Sequence, residues 1–86
     1  MYNLRFLNEA EKTYHWLQER DRALFERIHA ALDRLRTEPS LGKSLGGRLK
    51  EVRSLRVGMY RILYHLQRHE LLIYIIDIGH RREIYR

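Results

Sequence analysis

Between Tyr2 and Leu7 the side chains alternate, with Tyr2, Leu4 and Phe6 on one side and Asn3, Arg5 and Leu7 on the other. This period of two predicts a strand. The period then lengthens. Ala10, Thr13/Tyr14 and Leu17 recur at helical spacing, and Asn8 with Glu11 three residues on forms a helix-start capping pair. Asp21 can restart a second helix, in which Phe25, Ile28, Leu32 and Leu35 make a clean apolar stripe. Arg34 and Arg36 fall in its last turn, where cations complement the helix dipole, and Pro39 closes it. The two helices are expected to form a hairpin whose stripes face a sheet, with Trp16 packed into it.

Residues 40–48 hold three of the five glycines and two serines and read as a loop. It is a connection inside one domain, since neither flank could fold alone. From Leu49 the period returns to two, and Leu49–Val57, Tyr60–Gln67 and Glu70–Ile78 predict three strands. Gly58-Met59 suits a two-residue type II′ hairpin turn, with glycine first; Arg68-His69 is the next turn. Leu71–Ile76 is apolar on both faces and is expected to be the central strand, covered on both sides, with Gly79 able to break it. The fold class is therefore α+β: an N-terminal strand, then a helical hairpin packed on an antiparallel sheet of about four strands.

Composition narrows this picture. Eighty-six residues make one domain, 1–86, with a modest core. There is no cysteine, which excludes a disulfide framework, a Cys-based zinc site and a thiol nucleophile, and fits a reducing cytosol. A cytoplasmic location is expected. No signal peptide is evident, and the longest apolar run is too short to span a bilayer as a helix, so no membrane partner is expected. The charge is uneven. Residues 1–40 carry seven Lys/Arg against seven Asp/Glu, whereas residues 41–86 carry ten against four, so the whole +6 lies in the sheet-forming half. Basic charge gathered on one sheet implies a polyanionic partner.

The hairpin turn fixes a register. With Gly58-Met59 at its tip, Val57 pairs with Tyr60 and Arg56 with Arg61, and cross-strand partners share a face. Ser54 lies on the Arg56 face, while Arg53 is out of phase and faces the other way. Two opposed arginines are either solvated strand residues or a clamp for an anion. The clamp reading leads to RNA cut by its own 2′-hydroxyl. That chemistry needs activation of the hydroxyl, fixed cations on the phosphorane-like transition state and a proton for the departing 5′-oxygen. Arginine supplies planar forked donors, and Tyr or His can stack on a base. The tail Gly79-His80-Arg81-Arg82 adds basic groups at a strand end. His65 and His69, four apart, would suit a metal on a helix but fall on a strand and its turn, so no metal site and no cofactor is expected.

The run Leu55-Arg56-Val57-Gly58-Met59-Tyr60-Arg61-Ile62-Leu63-Tyr64, followed by Gly79-His80-Arg81-Arg82-Glu83-Ile84-Tyr85, resembles the RelE branch of the RelE/ParE toxin superfamily. The resemblance implies a bacterial or archaeal type II toxin that enters the ribosomal A site and cuts mRNA there without a metal. Its partners would be that mRNA and a cognate RelB-like antitoxin. It assigns the scissile phosphate to Arg61, leaving-group protonation or phosphate binding to Arg81, and base stacking or 2′-hydroxyl orientation to Tyr85. Arg56 matches a basic residue on the same face, and His80 stands where some relatives carry another basic residue. The chain departs from the pattern on the strand before the hairpin, where Val52 and Ser54 occupy the positions of a lysine pair. Lys50 and Arg53 are the nearby cations. Two alternatives share the fold or the charge: a ParE-like toxin that inhibits DNA gyrase, and a non-catalytic nucleic-acid-binding module.

Overall fold

The computed structural model describes residues 1–80. Its strands are β1 (Asn3–Phe6), β2 (Lys43–Ser44), β3 (Val52–Val57), β4 (Tyr60–Gln67) and β5 (Leu72–His80). Its helices are α1 (Asn8–Arg20) and α2 (Arg22–Leu35). The five strands form one sheet in the order β1-β5-β4-β3-β2. Both helices lie on the same side of it and bury the stripe that their periodicity requires: Ala10 and Leu17 from α1, and Phe25, Ile28, Leu32 and Leu35 from α2. From the sheet, Val57, Ile62, Tyr64, Leu66, Ile73, Ile75 and Ile78 complete that core.

The helical hairpin is tight because Asp21 alone separates the helices. Its carboxylate accepts from the Leu24 backbone N–H at 3.2 Å, capping α2 as expected. The α1 start differs from expectation. Leu7 is the N-cap, Asn8 is already helical, and no side chain caps the helix. The Glu11 N–H bonds instead to the Leu7 carbonyl. Chain entry from β1, whose last link is the Leu7 N–H to Ile75, sets that boundary one residue early. Trp16, expected inside the hairpin, is half exposed, because Ala10 and Leu17 already fill the α1 stripe.

The sheet departs from the expected antiparallel set in two ways. β1 runs parallel to β5, with Asn3 opposite Leu72 and Phe6 opposite Ile75. The chain leaves β1 through the helical hairpin, reaches β2 at the opposite edge of the sheet and returns through β3 and β4 to β5, a connection long enough for parallel pairing. The second difference lies in the glycine-rich loop, where Lys43 and Ser44 form a fifth, two-residue strand against Ser54 and Arg53. The strand predicted over Leu49–Val57 begins at Val52 instead. Gly46 and Gly47 take positive φ (80° and 55°) and lead into a 3₁₀ turn, Gly47–Leu49, that consumes those residues. β5 is an interior strand, yet only one face is covered; Leu72, Tyr74 and Ile76 on the other remain half-buried because both helices sit on one side. It also continues through Gly79 to His80.

The β3–β4 hairpin has the expected register. Gly58 has φ of 61° and Met59 is not in the positive-φ region, the signs of a II′ turn. Val57 pairs with Tyr60 and Arg56 with Arg61. Between β4 and β5 the register shifts at Leu63/Tyr64, so Ile76 is an extra residue and the buried positions change phase from Ile73 and Ile75 to Ile78.

Candidate nucleic-acid interface

The helix-free face of the sheet is set residue by residue by the strand alternation. On β4, Ile62, Tyr64 and Leu66 point into the core, which turns Arg61, Leu63 and His65 outward. On β3 the same ladder turns Arg56, Ser54 and Val52 outward, and on β2 it turns Lys43 outward. Two cross-strand rows result. One reads Gly79–Arg61–Arg56, the other Asp77–Leu63–Ser54–Lys43.

Arg56 and Arg61 are Cα partners, so their Cβ atoms lie about 5 Å apart and their charges repel. The Arg56 Nε donates to the Gly58 carbonyl at 3.3 Å, drawing that side chain toward the turn. Arg61 is half-buried, with its Nε shut off from solvent. A half-buried guanidinium beside a more exposed one can grip a phosphate from two sides. Ser54 is buried between Leu63 and Lys43, one row away. Lys43 was not singled out from sequence because it lies in a glycine-rich loop. Only pairing with Ser54 shows that its ammonium belongs to the arginine face.

Three expected site residues are separated from this pair. Arg53 pairs with Tyr64 on the helix side, where its Nη1 donates to the Gly42 carbonyl at 2.7 Å and to the Ser40 carbonyl at 3.3 Å. It ties down the loop. His80 pairs with Tyr60, also on the helix side, and its ring meets the Tyr60 ring edge-on at 5.9 Å. Lys50 caps the 3₁₀ turn at the far end of β3, and its carbonyl accepts from Ser44 Oγ at 2.7 Å. Register explains the first two and the glycine-driven turn explains the third. Arg81 and Tyr85 lie outside the described residues.

The loop that carries Lys43 is anchored by one phenol. Tyr64, fully buried, donates to the Pro39 carbonyl at 2.7 Å and accepts from the Gly42 N–H at 2.9 Å. Burial pushes its pKa above the usual tyrosine value; the Gly42 N–H and the Arg53 charge oppose that rise. A Cβ on Gly42 would stand 2.7 Å from the Tyr64 hydroxyl, so the close approach needs glycine.

The profile of the ParE toxin of type II toxin–antitoxin systems matches residues 1–85. The chain belongs to the RelE/ParE toxin superfamily. It is 34% identical to Toxin RelG of Mycobacterium tuberculosis, over 99% of this chain and 97% of that protein. Among solved structures, it is similar to the RelBE2 toxin–antitoxin complex of the same organism, with a TM-score of 0.72 and 32% identity, covering 93% of this chain and 98% of that one. The isolated Escherichia coli RelE toxin shares the fold, with a TM-score of 0.78 at 19% identity over 93% of this chain and 84% of that one.

The RelE/ParE chain is thus a type II toxin built as two helices on a mixed sheet. Its helix side carries a second feature. A groove of about 350 Å³ runs between α2 and β3, with Ala31, Leu41 and Leu55 along it and Arg27 and Arg34 at its rim. An acidic, partly apolar segment is the complement of such a surface. No helix among the described residues is long and apolar enough to cross a membrane.

Proposed function

We propose that this toxin is an mRNA endonuclease that acts in the cytoplasm on the codon in the ribosomal A site. The observation that supports this most is the pairing of Arg56 with Arg61 on the open face, next to the lysine of β2. The 2′-oxygen attacks the adjacent phosphorus, the bond from phosphorus to the 5′-oxygen breaks, and a 2′,3′-cyclic phosphate and a 5′-hydroxyl result. Arg61 holds the scissile phosphate, and Arg56 with Lys43 adds positive charge as the phosphorane builds up. The 2′-hydroxyl loses its proton to solvent water and the 5′-oxygen takes one up; Arg81 is proposed to donate to the latter or to bind the phosphate. Tyr85 is proposed to stack on the base or orient the 2′-hydroxyl. These cations supply the charge stabilisation, so no metal is required. The 34% identity to Toxin RelG lends weight to the branch chosen.

A cognate RelB-like antitoxin is the second proposed partner. The arginine-rimmed groove suits an acidic segment that folds as it binds. Translating ribosomes incubated with the toxin, followed by mapping of mRNA ends, test the nuclease. Cuts within A-site codons are expected from wild type and are lost in Arg61→Ala. Intact mRNA, or unchanged cutting by the variant, overturns the assignment.

A ParE-like action on DNA gyrase is the competing reading. The matched ParE profile favours it, as do Val52 and Ser54 where RelE-type sites carry lysines. Inhibition of gyrase supercoiling by the purified toxin, with mRNA left intact, would establish it instead.

A further inference from the structure

The open face does not end at the arginine pair. Past the bulge, a third row crosses the sheet: Arg5 on β1 is the Cα partner of Tyr74 on β5, which is the partner of His65 on β4. All three point away from the helices, since their neighbours Leu4, Phe6, Ile73, Ile75, Tyr64 and Leu66 pack inward. Tyr74 and His65 are half-buried and Arg5 is exposed. The Gln67 side-chain nitrogen lies 3.1 Å from His65 Nδ1 and 3.4 Å from its Nε2, against that ring.

We infer that this row is a stacking platform for a base of the single-stranded RNA strand gripped by Arg56 and Arg61, with Arg5 meeting a phosphate beyond it. The inference rests on the RNA-cleaving function proposed above. Two aromatic rings and a guanidinium side by side on a rigid sheet offer flat surfaces of the kind on which unpaired bases stack. The row spans roughly 10 Å across three strands at about 4.8 Å per strand. It lies four residues along β4 from Arg61, roughly 13 Å away. That is a distance that a flexible strand held at one phosphate can cover while laying a neighbouring base on Tyr74. The charge fits as well. Of the strand residues on this face, Arg5, Lys43, Arg56 and Arg61 are cationic and only Asp77 is anionic. Asp77 sits between the two basic ends, opposite Leu63, where it disfavours a phosphate and leaves that stretch to bases.

The probe is a short single-stranded RNA, 2′-O-methylated throughout so that it cannot be cut, with binding followed by fluorescence anisotropy. Ribosomal mRNA cutting is measured in parallel. Tyr74→Leu keeps apolar bulk but removes the ring and is expected to weaken binding roughly five- to hundred-fold. Tyr74→Phe should recover most of that loss. Arg5→Gln should make the plot of log affinity against log salt shallower by about 0.7. Circular dichroism of each variant controls for folding. If Tyr74→Leu binds like wild type while Arg61→Ala is weakened, the platform is refuted and the clamp stands. If wild type cuts no mRNA yet binds RNA through Tyr74, the nuclease proposal fails and the platform remains. If wild type does not bind the probe, the platform is refuted.

Discussion

Replacing Tyr64 with phenylalanine removes one oxygen and strands two backbone groups. The ring is fully buried, and its hydroxyl joins the Pro39 carbonyl (2.7 Å) to the Gly42 N–H (2.9 Å). Phenylalanine fills nearly the same volume, so the cost comes from hydrogen bonding and not from a cavity. A buried donor or acceptor left unsatisfied costs about 1–3 kcal/mol. Two such groups, offset by no longer burying a hydroxyl, give a loss of about 2–4 kcal/mol. A domain of 86 residues has roughly 4–13 kcal/mol in total, so the change is large. Urea unfolding should show a lower midpoint with the same slope, and the thermal midpoint should fall by about 10–25 °C. Alkaline pH adds a second signature. Burial raises the folded pKa of Tyr64, so its contribution is complete below the unfolded value near 10 and is lost as pH rises through the higher folded value. Tyr14, raised first by burial and then by Glu26 and Asp33, acts with the same sign. Wild type should therefore weaken above about pH 10, and Tyr64→Phe should weaken less steeply there. A midpoint shift worth less than about 0.5 kcal/mol would show that Pro39 and Gly42 find other partners and would refute the reasoning.

Gly42→Ala should cost about 1–3 kcal/mol in the same melts, because its Cβ would meet the immobile Tyr64 ring at 2.8 Å and the Ser54 backbone at 3.1 Å. Arg56→Thr should separate stability from function: relief of the Arg56–Arg61 repulsion should add about 0.2–1 kcal/mol, more at low salt, while mRNA cutting falls. Leu71 is the one non-glycine residue with positive φ (53°) among the described residues, and it is half exposed. Leu71→Gly should therefore raise the unfolding free energy by roughly 0.5–1 kcal/mol, read as a higher urea midpoint, and an unchanged or lower midpoint would show that the turn carries no strain.

Periodicity and turn chemistry are local properties, and what they control was legible in the chain. The spacing of Phe25, Ile28, Leu32 and Leu35 named the buried stripe of α2, and Asp21 named the break between the helices. Gly58 fixed the turn, and the turn fixed which side chains oppose, so the Arg56–Arg61 pair could be read from six consecutive residues. Arg53 could be assigned to the other face for the same reason. The remainder depends on partners far away in the chain. Lys43 joins the arginine face only because a glycine-rich loop, held by the Tyr64 phenol and the Arg53 guanidinium, lies along β3. The Arg5–Tyr74–His65 row exists only because β1, from the start of the chain, pairs in parallel with β5, the last described strand. His80 was assigned to the arginine site from sequence, whereas the ladder pairs it with Tyr60 on the helix side. Local sequence sets how each segment folds and which of its residues share a face. Which segments become neighbours is settled by burying one shared core, a sum over the whole chain that no short window contains.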